Sequence, residues 1–561
     1  MKLKQQISSV INNALIKSNI EVDTPIVINE ATKVEFGDYQ YNGVMGLAKK
    51  LKKNPREIAQ EVVSNINLDG IISKVEVAGP GFINITLSDT ILSNEITSIL
   101  NDDRLGISKV DNPSTIVVDY SGPNMAKEMH VGHLRSTIIG DALVKLFKFL
   151  GHNVIAQNHI GDWGTQFGML IAYLEDIGVD KSDRLKDLEE FYKNAKKRFD
   201  EDDNFKDRAR EYVVKIQQGD KHCLKLWKNF IDVSLTHCED VYSLLNVSLT
   251  KDDVKPESFY NDDLANVISD LDKSGMLEVS NGAKCIFLDN SEIPVIVQKG
   301  DGGYLYATTD LSALRYRNKT LKANRVVYVV DARQSQHFKD IFNIAKKSGF
   351  VNSDVLLEHI AFGTMMNKDG KPFKTRDGGT IKLIDLLNES ISKAKNAIKE
   401  RDKYSDEELE EVSKVVGIGA VKYADLSINR ESNYIFNLDK MISFDGNTSL
   451  YLQYAYARIQ SILKKSNKDI TNIDKILIDD NITHRLVLMI LKFEDTLNRA
   501  SKDSTPHIIS AYLYELAGLF MKFYEQNQIL DNDSRLAISK ITSDTIKLGL
   551  DILGIKVLDR I

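Results

Sequence analysis

Cysteine is nearly absent: Cys223, Cys238 and Cys285 are the only three in 561 residues, and no two stand at metal-ligand or redox spacing. Neither a structural zinc site nor a disulfide framework is expected, and the thiols read as buried or indifferent. No apolar run approaches the roughly 20 residues of a bilayer crossing, and mean hydropathy is -0.25. The first residues, MKLKQQISSVINNALIKSNI, lack both an apolar signal core and a small-residue cleavage site. A membrane role is therefore not expected, and the product should stay in the cytoplasm. Positive charge is in deficit, with 73 Lys and Arg against 80 Asp and Glu and a net charge of -7. Any nucleic-acid surface must then be a local patch. Proline occurs nine times, and there is no low-complexity segment or internal repeat. Length predicts about three or four compact domains joined by short linkers.

Against that background one stretch stands out, TIVVDYSGPNMAKEMHVGHLRSTIIGD from Thr115 to Asp141. Ile116, Val117 and Val118 suit a buried strand, Pro123 breaks it, and Leu134, Ile138, Ala142 and Leu146 recur at helical spacing until Gly151. The intervening loop ends at a helix N-terminus, where unpaired amides and the helix dipole favour an anion. His130 and His133 can add donors to phosphate oxygens there, and Gly132 lets a ring or phosphate approach the backbone.

Residues 1 to about 108 read as a small α/β unit: an amphipathic helix, a polar-apolar stretch at Val34 to Tyr41, a second helix near Arg56 to Ile66, and strands around VEVAGPGFINITL. From about 109 to 385, strands alternate with helices as in a parallel sheet with crossovers. Its second strand is Asn153 to Gln157, and the sheet is expected to resume at YLYATTDLSALRYR and at Val326 to Val330. An insertion spans about 176–290; its charged block, Asp176 to Asp253, reads as helical with a solvated face. A helical connection over 386–444 and an α-helical domain over 445–561 follow. The fold class is thus multidomain α/β: a Rossmann-like parallel-sheet core with an insertion, a small N-terminal α/β domain and an all-α C-terminal domain.

A second phosphate candidate is FGTMMNKDGKPFKTRDGG, Phe362 to Gly379, where Lys368, Lys371, Lys374 and Arg376 sit among glycines. Such a loop could neutralise a leaving pyrophosphate, or it is a solvated basic hairpin. Tyr306 and Asp310 are four apart, so a helix starting there places them on one side, and Asp119 ends the first strand, where ligands of open α/β sheets bind. Carboxylates so placed can pair with a cationic group. The plainer alternatives are that Asp310 caps a helix and Asp119 is a strand-end polar residue.

HVGH after a strand resembles the first signature of class I aminoacyl-tRNA synthetases, and PNMAKEMHVGHLRSTIIGD is similar to arginyl-tRNA synthetases in particular. FGDYQYNG and AGPGFINI resemble that family's tRNA-contacting N-terminal domain, and LYLQYAYAR its anticodon-binding domain. The resemblance implies an arginine–tRNA ligase: the arginine carboxylate attacks the α-phosphorus of ATP with Mg²⁺, and a ribose hydroxyl of tRNA(Arg) then takes the arginine, the first step itself requiring tRNA. It implies ATP contacts along Pro123, Asn124, Met125, Ala126, Lys127, Glu128, Met129, His130, Val131, Gly132 and His133. Catalytic roles fall to His130, Gly132, His133, Lys127, Lys371 and Lys374, arginine binding to Asp119, Asn124, Tyr306, Asp310 and Gln334, and tRNA contacts to Tyr451, Gln453, Tyr454 and Arg458. His159, Asp162 and Trp163 of the GDWG turn are expected to support the pocket.

The second signature departs from Lys-Met-Ser-Lys-Ser, reading Lys371-Pro-Phe-Lys374, with Lys127 at the position thought to compensate. Gly122 stands where Ser or Ala is usual. No bound metal, zinc, organic cofactor, DNA or membrane partner is expected, and the family suggests a monomer. The rivals are an adenylyltransferase, a cysteinyl-tRNA synthetase, whose zinc site three scattered cysteines do not supply, and a non-catalytic RNA-binding scaffold.

Overall fold

A computed structural model describes residues 2–68, 70–178, 188–289, 293–371, 373, 381–399 and 403–561. At its centre lies a four-stranded, wholly parallel sheet in the order Leu356–His359, Arg325–Tyr328, Thr115–Asp119, Asn153–Gln157. Ile116, Val117, Val118, Val326 and Val327 are buried, as the β-branched runs require of strands covered on both faces. The chain leaves Thr115–Asp119 through the helix Leu134–Phe149 to reach one side of the sheet, and later occupies the other side through Arg325–Tyr328. That reversal of strand order opens a crevice at the carboxyl ends.

The helix Leu134–Phe149 buries the expected Leu134, Ile138, Ala142 and Leu146, but also its opposite face. Arg135 Nε lies 2.9 Å from Asp425 Oδ2, and Asp141 Oδ2 lies 2.7 Å from Lys145 Nζ, so its buried charges are paired. Gly140 faces the Tyr120 side chain so closely that a Cβ would sit 2.3 Å from it; no other residue fits that crossing.

Two expectations need correction. YLYATTDLSALRYR does not resume the sheet: Tyr304 makes one isolated bridge to Gln298, and Tyr306–Lys319 is a helix. Within the insertion, the helices Leu188–Glu201, Asp203–Gln217 and Lys221–Leu244 are as expected, yet Cys223, Leu226, Phe230, Cys238 and Val241 of the last one are buried. A three-stranded antiparallel sheet, Glu278–Ser280, Ala283–Ile286 and Val295–Gln298, follows them unannounced by the sequence pattern.

The N-terminal unit pairs Ile28–Glu30, Tyr39–Tyr41, Phe82–Leu87 and Ile72–Ala78 into an antiparallel sheet behind the helix Lys2–Lys17. It docks on the C-terminal helices. Ile476 N donates to Thr97 Oγ1 at 2.9 Å, Lys4 Nζ lies 2.7 Å from Asp495 Oδ2, and His484 sits 2.7 Å from Asp89 Oδ1 and 3.1 Å from Asp38 Oδ2. Among the described residues no helix is long and apolar enough to cross a membrane.

Candidate active site

A cavity of about 330 Å³ opens at the carboxyl ends of Thr115–Asp119 and Arg325–Tyr328. Of the residues singled out above, Asp119, Gly132, His133, Tyr306, Asp310 and Gln334 line it, with His159 beside them. Beyond the strand, Ser121 and Gly122 take left-handed backbone angles, φ +71° and +53°. A Cβ on Gly122 would be strained and would stand 3.3 Å from the His159 carbonyl, which accounts for glycine here.

The chain then sinks: Pro123, Met125, Ala126, Met129 and Val131 are buried, so their side chains belong to the core and only their backbone is left to meet a ligand. It surfaces at His130, which caps the short turn Val131–His133. His130 Nδ1 accepts from Gly132 N at 3.0 Å, and His133 Nδ1 accepts from His130 N at 3.1 Å. With Nδ1 accepting in each ring, Nε2 carries the proton. The rings lie 4.0 Å apart. Burial, then the neighbouring His130, push the His133 imidazole down to about 3, so at neutral pH it acts as a dipole rather than a cation.

The two signatures meet. Val131 N donates to the Ile381 carbonyl at 3.1 Å, Leu383 N to the Met129 carbonyl at 2.9 Å, and Lys382 Nζ lies 3.2 Å from Glu128 Oε1. Lys374, with Arg376, Gly378 and Gly379, lies outside the described residues. Lys371 is exposed on the turn that Asn367 organises, away from the cavity lining, and Lys368 pairs with Asp439 at 3.0 Å. Lys127 Nζ rests 4.4 Å from the ring centroid of Tyr192, on the insertion.

Across the sheet the helix Tyr306–Lys319 puts Tyr306 and Asp310 on one side, as expected, and its N-cap is Leu305, so Asp310 is not a cap. Asp310 Oδ2 lies 2.6 Å from His337 Nε2, whose ring is 4.8 Å from that of Tyr306. Asp119 lines the cavity but has an internal partner. Its Oδ2 accepts from Arg317 Nη2 at 2.7 Å, and the same fully buried guanidinium donates from Nε to Gln157 at 2.7 Å and covers the Tyr328 ring. Asp119 is thus already matched by an internal arginine. Asn124 departs from expectation: its Oδ1 accepts from Ala126 N and Gln166 Nε2, both at 3.1 Å, and it is not among the lining residues.

Sequence reasoning missed Glu257, Arg317 and His337. Glu257 lines the cavity, and burial, then Asp162 and Asp310, raise its carboxyl to about 7. It opens the short 3-10 turn Glu257–Tyr260, which carries no motif, so only the fold brings it here. His337, three residues after Gln334, was open to the same one-turn reasoning that paired Tyr306 with Asp310. Asp162 is a brace: it is buried and accepts from Ser258 N at 3.0 Å and Ser258 Oγ at 2.5 Å, while Trp163 meets Trp227 edge-on.

On the helix Ser449–Ser466, Tyr451, Tyr454 and Arg458 are partly exposed at one-turn spacings. Gln453 is fully buried and donates to the Lys556 carbonyl at 2.8 Å, which corrects its assignment as an RNA contact. A larger hollow, about 710 Å³, lies between the N-terminal unit and the C-terminal helices, but no signature residue lines it.

Three family models match the chain: "tRNA synthetases class I (R), catalytic domain" over residues 95–438, "DALR anticodon binding domain" over 452–561, and "Arginyl tRNA synthetase N terminal domain" over 1–87. The arginine–tRNA ligase of Marinomonas sp. is 50% identical over 576 residues, and that of Hahella chejuensis 51% over 577 residues, each comparison covering 100% of both chains. Among solved structures, the arginyl-tRNA synthetase of Plasmodium falciparum superposes with a TM-score of 0.86 at 31% identity over 100% of this chain and 99% of that one. The Thermus thermophilus arginyl-tRNA synthetase shares the fold, with a TM-score of 0.83 at 22% identity over 100% of both chains.

Proposed function

The chain belongs to the arginyl-tRNA synthetases, class I ligases that use ATP to charge tRNA(Arg) with arginine, and from that premise we propose how its own residues divide the reaction. The observation that carries the division is that one cavity gathers both sets of groups: Gly132 and His133 of the signature, and Tyr306 with the carboxyls of Asp310 and Glu257. The carboxylates take the substrate guanidinium, with Tyr306 against its face. Gln334 holds the amino acid's polar head. Asp119, neutralised by Arg317, shapes the floor instead of competing for the ligand.

The arginine carboxylate then points at the α-phosphorus of MgATP, a substrate complex whose metal needs no resident site. Attack forms the arginyl-adenylate, and the bond to pyrophosphate breaks. His130 and His133 donate Nε2 protons to the phosphate oxygens, and Lys127, Lys371 and Lys374 neutralise charge building on pyrophosphate. A terminal ribose hydroxyl of tRNA next attacks the adenylate carbonyl and AMP leaves. The backbone of Pro123 to Val131 frames the nucleotide, while Asn124 reaches it only by leaving Gln166.

For the tRNA, Tyr451, Tyr454 and Arg458 offer stacking and phosphate contacts. In this reading residues 1–108 touch the outer corner, 386–444 the stem and 445–561 the anticodon, around a catalytic unit 109–385, and the enzyme works as a cytoplasmic monomer. The test is ATP–pyrophosphate exchange with each of the twenty amino acids, with and without total tRNA. Exchange is expected only with arginine plus tRNA; exchange with arginine alone would remove the tRNA requirement.

A further inference from the structure

Through its longest helix, Lys221–Leu244, the insertion touches Ser121, which lines the cavity. Trp227, Ser234 and Tyr242 recur on it at spacings of seven and eight, which sets them on one face. Trp227 Nε1 donates to the Asp162 carbonyl at 2.7 Å, and Ser234 Oγ donates to the Met125 carbonyl. Tyr242 goes deeper. Its hydroxyl accepts from Asn158 Nδ2 at 3.0 Å and lies 2.7 Å from Ser121 Oγ, so its own proton goes to Ser121. Burial raises the phenol's pKa, which keeps that proton in place.

From Ser121 the connection runs to the signature. Thr137 Oγ1 lies 3.0 Å from Ser121 Oγ and 2.8 Å from the His133 carbonyl. Thr137 is the donor in both contacts, its one hydroxyl proton divided between Ser121 Oγ and the His133 carbonyl. Hydrogen-bonded groups thus run without a break from Asn158 through Tyr242, Ser121 and Thr137 to the backbone of His133. At the middle of this chain stands a strained residue: Ser121 holds φ +71° without being glycine. Such conformations persist only where the surroundings over-determine them. Ser136 Oγ fixes its backbone N–H at 2.9 Å and Asn158 Oδ1 fixes Gly122 N at 3.0 Å, leaving the side chain to Tyr242 and Thr137.

We propose that Tyr242 of the insertion is a positioning residue for arginine activation, its hydroxyl holding Ser121 left-handed and, through Thr137, setting the turn that presents His133. This rests on the reading of the His133 cavity as the activation site. The experiment is a double-mutant cycle on the full chain, read by arginine- and tRNA-dependent ATP–pyrophosphate exchange. Tyr242→Phe should lower kcat about tenfold while the KM values for arginine and ATP move less than threefold. In a Ser121→Gly background, where the backbone no longer needs a hydroxyl to stay at φ +71°, the same change should cost less than twofold. Loss of packing alone would cost the same in both backgrounds. Thr137→Val cuts the chain from its other end, and should lower kcat by a similar factor with the tyrosine intact. Full activity in both Tyr242→Phe and Thr137→Val, or equal losses in the two Ser121 backgrounds, overturns the proposal. His133→Ala measured alongside separates the causes: its failure with Tyr242→Phe fully active removes this inference alone, whereas full activity in His133→Ala removes the site reading and this inference together.

Discussion

Glu257 carries a carboxyl raised to about 7 inside the cavity proposed for a cationic substrate. A bound guanidinium favours the ionised form, so arginine has to expel a proton below that value and binds best above it. The KM for arginine should therefore fall as pH rises from about 6 to 8, and Glu257→Gln should raise KM and flatten that dependence; a steep profile in the variant would assign the titration elsewhere. Asp310→Asn removes a charged partner worth roughly 1.5–3 kcal/mol, or about 10- to 100-fold in arginine KM. Unchanged affinity would take Asp310 out of the pocket. His133 behaves oppositely to a phosphate-binding cation. Held down to about 3, it stays neutral through the working range, so its donation to phosphate should not fade between pH 6 and 9. The cost appears as stability: the unfolded chain takes up this proton near 6.5 and the folded one only near 3, so the fold loses stability as pH falls through that interval. His133→Gln should show a shallower decline of Tm over the same pH steps.

Among elements, the parts whose local pattern and tertiary role agree were legible in the sequence. The strand Asn153–Gln157 and the helix from Leu134 to just before Gly151 follow from periodicity and breakers, because the chain signals for both are local. The one-turn pairing of Tyr306 with Asp310 was legible for the same reason. What escaped depends on distant partners. Arg317 reads as one more cation late in a helix, yet it straps Tyr306–Lys319 to two core strands through Asp119 and Gln157. Glu257 belongs to no repeat at all, and Gln453 looks like a surface amide until its partner Lys556 arrives from a hundred residues away. Removing the strap tests it. Arg317→Met leaves Asp119 buried without its cation and should cost about 3–5 kcal/mol in urea unfolding. Arg317→Met with Asp119→Asn should recover part of that loss; equal midpoints for single and double variants would mean that the pair does not act as one.

At the scale of the whole molecule, the N-terminal unit and the C-terminal helices are held against one another at His484, between Asp38 and Asp89. Both carboxylates, by hydrogen bond and charge, outweigh burial and raise the imidazole above its usual value. That contribution is complete below about 6.5 and disappears as pH climbs through the raised value. The Tm gap between the natural chain and His484→Gln should accordingly be widest near pH 6 and close by about pH 9; a constant gap would make the contact steric. The same junction bears on how the protein is made. His484 follows Asp89 by 395 residues and Asp38 by 446. At about 5–20 residues per second, translation takes roughly 20–80 s to cover the shorter interval. Throughout that time the emerged N-terminal unit waits on the ribosome with its docking face bare, a window in which a chaperone, or a neighbouring nascent chain, competes for the place that the helix Asn481–Leu491 will later take.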